Sequence, residues 1–509
     1  MDWSNGHEGY EIGDHDRHGR WFVRRRRVCS NRFAQPSSVV RTGFEYGSYY
    51  QTSAQQPASP SNAPVAEPAP TVAAPAAGCT TGCADASPTC AAPAGCSTCS
   101  NGGCSDCKEC ALECEDRCEP WRLFGCYNEN NCRGINIRGW VNAGMMDNPD
   151  NPASRFNGPT TFYDRDAEAQ LSQLYLIAEK ALDPEKCGWQ IGGRIDVLYG
   201  TDYRFNISRG LTANNDFTAK ANSSRFYGLD IPQAYVELGK ENTSIKLGHF
   251  YTIIGYEVVT APDNFFMTHA YTMQYGEPFT HTGTLVTQKI NDQLSLLGGV
   301  TTGWDNFNDV YNQLSFIGGA TFTASDGNSK LAYAFSVGEE ETTFATVTPT
   351  ETRYIQSVVY SRKLTDRLDY VFQSDYGSQQ NAGGAAGTTA EWYGVNQYLF
   401  YRINCCWSAG LRGEWFRDDA GFRVAPAGDY AALGPAVNNN PAGAGGFAGD
   451  FYEVAAGVNW KPQSRPNLTV RGETRYDWYN GTAGVNGQPF NDGAKNEQFL
   501  YGLDFIYAY

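Results

Sequence analysis

The chain of 509 residues carries 55 Gly, 31 Tyr, 27 Phe and 11 Trp against only 5 Met, with a net charge of -16 at pH 7 and a mean hydropathy of -0.47. That acidity excludes a surface built to grip the phosphate backbone of nucleic acid. No stretch approaches the roughly 18 consecutive apolar residues that a helix needs to cross a bilayer, which excludes a helical membrane protein but not a β-barrel, where only alternate residues meet lipid.

In chain order, residues 1–50 come first. They are basic and irregular ("RRRRVC") and contain no apolar segment of the length a secretory signal uses. The expectation is a misassigned start, the alternative a basic arm. Residues 51–78 are dominated by Pro and Ala, cannot bury a core, and read as an extended, disordered spacer.

Residues 79–133 hold twelve of the sixteen cysteines, from Cys79 to Cys132, including CxxC pairs at Cys96/Cys99, Cys104/Cys107 and Cys107/Cys110. Three readings fit: disulfide crosslinking, a zinc or iron–sulfur site, and an unstructured thiol-rich tail. The connectivity cannot be deduced from spacing.

From residue 134 to 509 the chain reads as strands. "WQIGGRIDVLY" sets Trp189, Ile191, Ile195, Val197 and Tyr199 against Gln190, Arg194 and Asp196; "LDYVFQSDY" sets Leu368, Tyr370, Phe372 and Tyr376 against Asp369, Gln373 and Asp375. "WSAGLRGEW" opposes Trp407, Leu411 and Trp415 to Arg412 and Glu414, and "YEVAAGVNW" opposes Tyr452, Val454, Val458 and Trp460 to Glu453 and Asn459. "LTVRGETRYDW" is the clearest, with Leu468, Val470, Tyr476 and Trp478 on one face and Arg471, Glu473, Arg475 and Asp477 on the other. The last strand, "FLYGLDFIYAY", puts Phe499, Tyr501, Leu503, Phe505, Tyr507 and Tyr509 on one face. A terminus that greasy needs an apolar medium.

Sixteen candidate strands begin near Ile135, Leu171, Trp189, Ile231, Ser244, Gly283, Gln293, Gln313, Leu331, Tyr354, Leu368, Trp392, Trp407, Phe451, Leu468 and Phe499. Their connections alternate between short ("DPEKCG", "KEN", "ND", "SDGN", "LTDR", "NCC", "KPQSRP") and long, such as Tyr251 to Thr282 and Arg417 to Asp450. Alternation by parity is what an up-and-down barrel imposes, since every other connection lies on the same side. A sandwich has no reason to sort its loops this way. The fold class expected is all-β: a transmembrane up-and-down antiparallel barrel of about sixteen strands behind a disordered Pro/Ala-rich and Cys-rich extension.

The stretches "GWVNAGMMDNPDNPASRFNGPTTFYDRDAEAQLSQLYL", "GWQIGGRIDVLYGTDYRF", "IKLGHFYTIIGYEVVTAPDNFFMTHAYTMQYGEPFTHTGTL" and "GWDNF" resemble the outer-membrane β-barrel porin family described as porin-2, or OmpL-like, over residues 134–509. The resemblance implies an outer-membrane porin passing small hydrophilic solutes by diffusion, with outer-membrane lipid around it, the extension in the periplasm and a homo-oligomer as an option. It implies that Phe505, Tyr507 and Tyr509 form the aromatic signal read by the barrel-assembly machinery. It also implies that the third long loop folds inward to narrow the pore. That loop offers Glu257, Asp263 and Glu277 as constriction residues, facing Arg412, Arg471 and Arg475 across a passage. The alternative is that these arginines pair along their own wall with Glu414, Glu473 and Asp477.

Arg194, Asp196, Asp369 and Asp375 complete the candidate pore lining. Ile191, Leu411, Val458, Val470 and Phe505 should face lipid, and an Arg at Gln373 should cost little. The runner-up function is an envelope or surface tether, in which the Cys-rich extension works and the barrel anchors it.

Enzyme motifs are missing: there is no nucleophile elbow, phosphate loop or HExxH, so no enzyme, cofactor or metal is expected. His249, His269 and His281 lie near the third loop and admit a metal site or ordinary hydrogen bonding. "DNPDNP" at residues 147–152 resembles a calcium loop, with turn chemistry the simpler reading. Cys132 and Cys187 fall on the same side of the barrel, where they can form a disulfide unless Cys132 pairs with Cys126.

Overall fold

A strand that is apolar on one face and charged on the other can satisfy both faces only between two media. Closing such strands into a cylinder leaves no unpaired edge. The computed structural model describes residue 123 and residues 134–183, 186–211, 226–308, 313–341, 350–382, 388–425, 446–483 and 487–509. The basic arm, the spacer and the Cys-rich segment with Cys126 and Cys132 lie outside the described residues.

The described strands are β1 (Asn136–Asp147), β2 (Gln170–Lys180), β3 (Gln190–Gly200), β4 (Gly228–Lys240), β5 (Thr243–Tyr251), β6 (Thr280–Lys289), β7 (Leu294–Thr301), β8 (Ser315–Thr323), β9 (Ser329–Glu341), β10 (Thr350–Thr365), β11 (Leu368–Gln379), β12 (Ala390–Arg402), β13 (Trp407–Asp418), β14 (Gly449–Trp460), β15 (Leu468–Gly481) and β16 (Glu497–Ala508). Each pairs antiparallel with its neighbours in sequence. β1 pairs with β16, from Trp140↔Ala508 to Asp147↔Tyr501, and closes a sixteen-stranded barrel. The strand starts lie within a few residues of those read from the sequence.

Parity decides what each face meets. Ile191, Leu411, Leu503 and Phe505 are 59%, 52%, 60% and 46% exposed on the outer surface, where an aqueous protein would not leave a continuous aliphatic belt. Val458 and Val470 share that face. Aromatic rings bound the belt. Near the short turns Trp407 stacks on Trp460 with ring centroids 5.9 Å apart; near the long loops Tyr393 packs on Trp415 at 5.7 Å and Tyr452 stacks on Trp478 at 5.0 Å. Eight residues separate Trp407 from Trp415, which at ~3.4 Å per residue and a strand tilt near ~40° gives an apolar height of roughly 20 Å. That is close to the ~25 Å band of outer-membrane barrels.

Candidate functional site

Opposite the lipid face, the inward residues line the lumen, and the connection between β5 and β6 enters it. This segment, residues 252–279, is closed at its base by the Thr252 N–H donating to the Phe279 carbonyl at 2.9 Å. It is aromatic, largely buried, and packs on the inner wall of β11–β16. Inward glycines make room: a Cβ at Gly410 would stand 2.5 Å from the Phe265 ring, and one at Gly394 would stand 2.4 Å from Thr272 Oγ1. Within the loop Gly255 has φ +86, and a Cβ there would fall 1.8 Å from the Glu277 carboxylate, so the tight approach requires glycine.

The charged ladder of β13–β15 holds the loop by its backbone. Arg412 Nε donates to Glu453 Oε2 at 2.8 Å, and Nη1 donates both to Glu257 Oε1 and to the Thr268 carbonyl, each at 2.8 Å. Arg471 is bidentate to Asp504 at 2.9 and 2.5 Å, and its Nη1 reaches the carbonyls of Ala261, Asn264 and Phe266 at 3.1, 3.1 and 2.9 Å. Arg475 pairs with Asp477, with an N–O separation of 2.8 Å, and donates to the His269 carbonyl at 2.6 Å. The carboxylates take the amides. Glu473 accepts from the N–H groups of Met267 and Thr268 at 2.5 and 3.0 Å, and Glu414 accepts from those of Tyr271 and Thr272 at 2.6 and 2.7 Å. An Arg-x-Glu-x-Arg-x-Asp strand thus presents alternating donors and acceptors to a peptide backbone lying across it.

Two expectations change here. The acidic loop does not face the arginine row across a water gap: Glu257 touches Arg412 directly, and Arg412, Arg475 and Asp477 are 1%, 1% and 0% exposed. The wall-only alternative is also incomplete, because Arg412 and Arg471 take Glu453 and Asp504 as wall partners and both reach into the loop.

The other candidates are placed as follows. Arg194 and Asp196 pair on β3 at 2.6 and 2.8 Å, with the Tyr175 hydroxyl donating to Asp196 at 2.6 Å. Asp369 is half-buried at the turn end of β11. Asp375 accepts from Ser357 Oγ at 2.6 Å and from Gln373 Nε2 at 3.0 Å; the same Gln373 amide donates to Glu277 at 2.5 Å and so joins wall to loop. An Arg at Gln373 would break both of the Gln373 bonds, so it should be costly rather than cost little as expected from strand parity. Asp263 accepts from Thr260 Oγ1 at 2.5 Å within the loop.

Burial alone would raise the Glu257 carboxyl, but the Arg412 guanidinium and the hydrogen bond with His269 outweigh it and hold it down at about 2. Glu277 goes the other way, pushed well above the usual carboxylate range by burial and by neighbouring Asp375.

The three histidines do not converge. His249 bonds Thr282, His269 bonds Glu257, and His281 bonds Thr252. Among the described residues no group of three or more His, Cys, Asp or Glu is arranged to hold a metal. "DNPDNP" forms turns, with the Asp150 N–H on Asn148 Oδ1 at 3.0 Å and the Asn151 N–H on the Asn148 carbonyl at 2.9 Å.

Sequence reasoning missed two buried loop arginines. Arg204 is bidentate to Asp164 at 2.9 and 2.7 Å, and Arg423 donates to the Tyr275 carbonyl at 2.6 Å while lying over Trp304 and Trp392. The signal available was a lone arginine inside an aromatic loop, as in "DYRF" and "GFRV".

A family model described as "Putative beta-barrel porin-2, OmpL-like" matches residues 134–509. Among solved structures the chain is similar to the outer membrane channel DcaP of Acinetobacter baumannii, with 13% identity, 74% of this chain and 97% of that chain covered, and a TM-score of 0.49. It is similar to Pseudomonas putida OprB at 12% identity, 74% and 94% coverage and a TM-score of 0.46. The anion-selective porin from Comamonas acidovorans aligns at 10% identity, 74% and 99% coverage and a TM-score of 0.45. No curated protein matches the sequence.

Proposed function

The chain belongs to the β-barrel porin-2, OmpL-like family of outer-membrane porins, and from that premise we propose that it passes small hydrophilic solutes by passive diffusion through a narrow lumen. The observation that carries this reading is the β5–β6 loop held inside a closed barrel by wall arginines and glutamates. A segment fixed in that way reduces the open cross-section and sets a size limit. The turn side faces the periplasm and receives the Cys-rich extension of residues 79–133, while the long loops face outward. Lipid covers the aliphatic belt, and Phe505, Tyr507 and Tyr509 serve the assembly machinery. Association of copies through the outer face fits this arrangement.

Planar-bilayer recording and liposome swelling on the folded full-length chain test the proposal. Discrete conductance steps, with swelling rates that fall as sugar size rises, are expected. Protein that migrates as a folded barrel on a heat-modifiability gel but neither conducts nor swells vesicles overturns it, and leaves the barrel as an anchor for the extension.

A further inference from the structure

The three described cysteines, Cys187, Cys405 and Cys406, are all disulfide-bonded. An odd set cannot be paired within itself. Cys187 lies in the short turn between β2 and β3, and Cys405 and Cys406 lie in the short turn between β12 and β13. By the shorter way, through β1 and β16, these turns are six strand spacings apart. At ~4.8 Å per spacing that is about 29 Å along the wall. A disulfide needs Cα atoms within about 4.4–6.8 Å. Cys187 therefore bonds neither of the other two, whether those two bond each other or not.

Thirteen cysteines remain in the sequence, Cys29 and the twelve from Cys79 to Cys132. The chain reaches the barrel on the rim that carries Cys187: Asn136, first residue of β1, pairs with Glu179, and Arg138 Nη1 contacts Glu179 Oε2 at 2.7 Å near the end of β2. From the base of β1 to the β2–β3 turn is one and a half strand spacings, about 7 Å. Cys132 precedes Gly134 by two residues, and each extended residue covers about 3.3–3.6 Å. Cys126 and the cysteines before it have longer reach still.

We propose that Cys187 is the rim anchor of the Cys-rich segment: its Sγ bonds a cysteine of residues 79–132, fastening the extension to the barrel at a second point beside the chain connection. Forming the bond oxidises two thiols. Their two electrons and two protons pass by thiol–disulfide exchange to a disulfide-bearing oxidant of the envelope, which leaves as a dithiol. The extension then pulls on two neighbouring strands rather than on one peptide link. This goes beyond solute passage and does not depend on it.

The test is a disulfide map of the full-length protein, isolated without reductant and with free thiols alkylated. Trypsin releases Cys187 on the peptide 187–194, Cys126 and Cys132 together on 123–133, and Cys405 and Cys406 on 403–412. The expected product is peptide 187–194 joined to a peptide that carries a cysteine of residues 79–132, from a band of monomer size on a non-reducing gel. Four results overturn the proposal: alkylated Cys187, Cys187 joined to peptide 403–412, Cys187 joined to Cys29, or the crosslink found only in a dimer-sized band that collapses on reduction. A C187S variant serves as control, since loss of the crosslinked product with the barrel still folded assigns it to that thiol.

Discussion

At Arg412 one guanidinium joins three strands of chemistry: Glu453 on the neighbouring strand, Glu257 on the loop, and the Thr268 carbonyl. Truncating one partner of a buried pair leaves the other charge without compensation, which costs about 3–5 kcal/mol. Arg412→Gln should therefore lower refolding stability by that order, as read from urea titration in vesicles. It should also raise single-channel conductance, because the loop loses its central hold. A merely charged pore lining would instead shift ion selectivity at constant conductance. Acid should imitate the substitution. The Glu257 carboxyl is held at about 2 against an ordinary 4.5, so the stabilisation is fully present above about pH 4.5 and is lost as pH falls toward 2. Conductance recorded across that window should rise on acidification, and Glu257→Gln should abolish the dependence. That these charges point inward was legible from strand alternation alone. That they grip a backbone was not, because the carbonyl partners of Arg412 and Arg475 lie 144 and 206 residues away along the chain and backbone groups carry no sequence signature.

At the scale of the strand, facing is the whole message, and a one-residue slip in register would reverse it. Ile191→Arg or Val458→Arg places a charge in the lipid belt and should cost about 2–4 kcal/mol in refolding titrations. Inward Thr287→Arg on β6, a half-buried position outside the arginine-gripped wall, should cost much less. Equal costs would contradict the orientation. Gln373 shows where strand-level reasoning stops. Its inward parity was read correctly, yet its amide bridges Glu277 and Asp375 at 2.5 and 3.0 Å, so its neighbours rather than its parity set its tolerance. The same limit applies to loops. Their alternation between short and long was legible and fixed the up-and-down topology, whereas the buried ion pair of Arg204 with Asp164 joins two loops that no periodicity relates.

For the whole molecule the question is how a sheet of sixteen strands closes, and the answer sits at its last residue. Tyr509 donates its N–H to the Gly139 carbonyl at 2.9 Å, accepts from the Gly139 N–H at 3.0 Å, and sends its hydroxyl across β1 to the Tyr175 carbonyl of β2 at 3.0 Å. Gly139 is needed for this: a Cβ there would lie 2.7 Å from the Tyr509 ring and 2.1 Å from the Tyr175 oxygen. The terminal residue is therefore a seam contact as well as the proposed assembly label, and the two roles separate by experiment. Deleting Tyr509 removes the three hydrogen bonds, and at about 0.5–1.5 kcal/mol each that should lower in-vitro refolding stability by a few kcal/mol. Tyr509→Phe keeps the backbone pair and the ring but loses the hydroxyl bond, so its refolding loss should be about 1 kcal/mol. Assembly in cells should follow a different order if the machinery reads the aromatic ring: the Phe variant should insert like the parent, while Tyr509→Ala, which retains the backbone seam, should accumulate unassembled. If Tyr509→Ala inserts in cells as well as it refolds in vesicles, the terminal ring is a seam contact alone, and the label must lie in Phe505 and Tyr507 or elsewhere in β16.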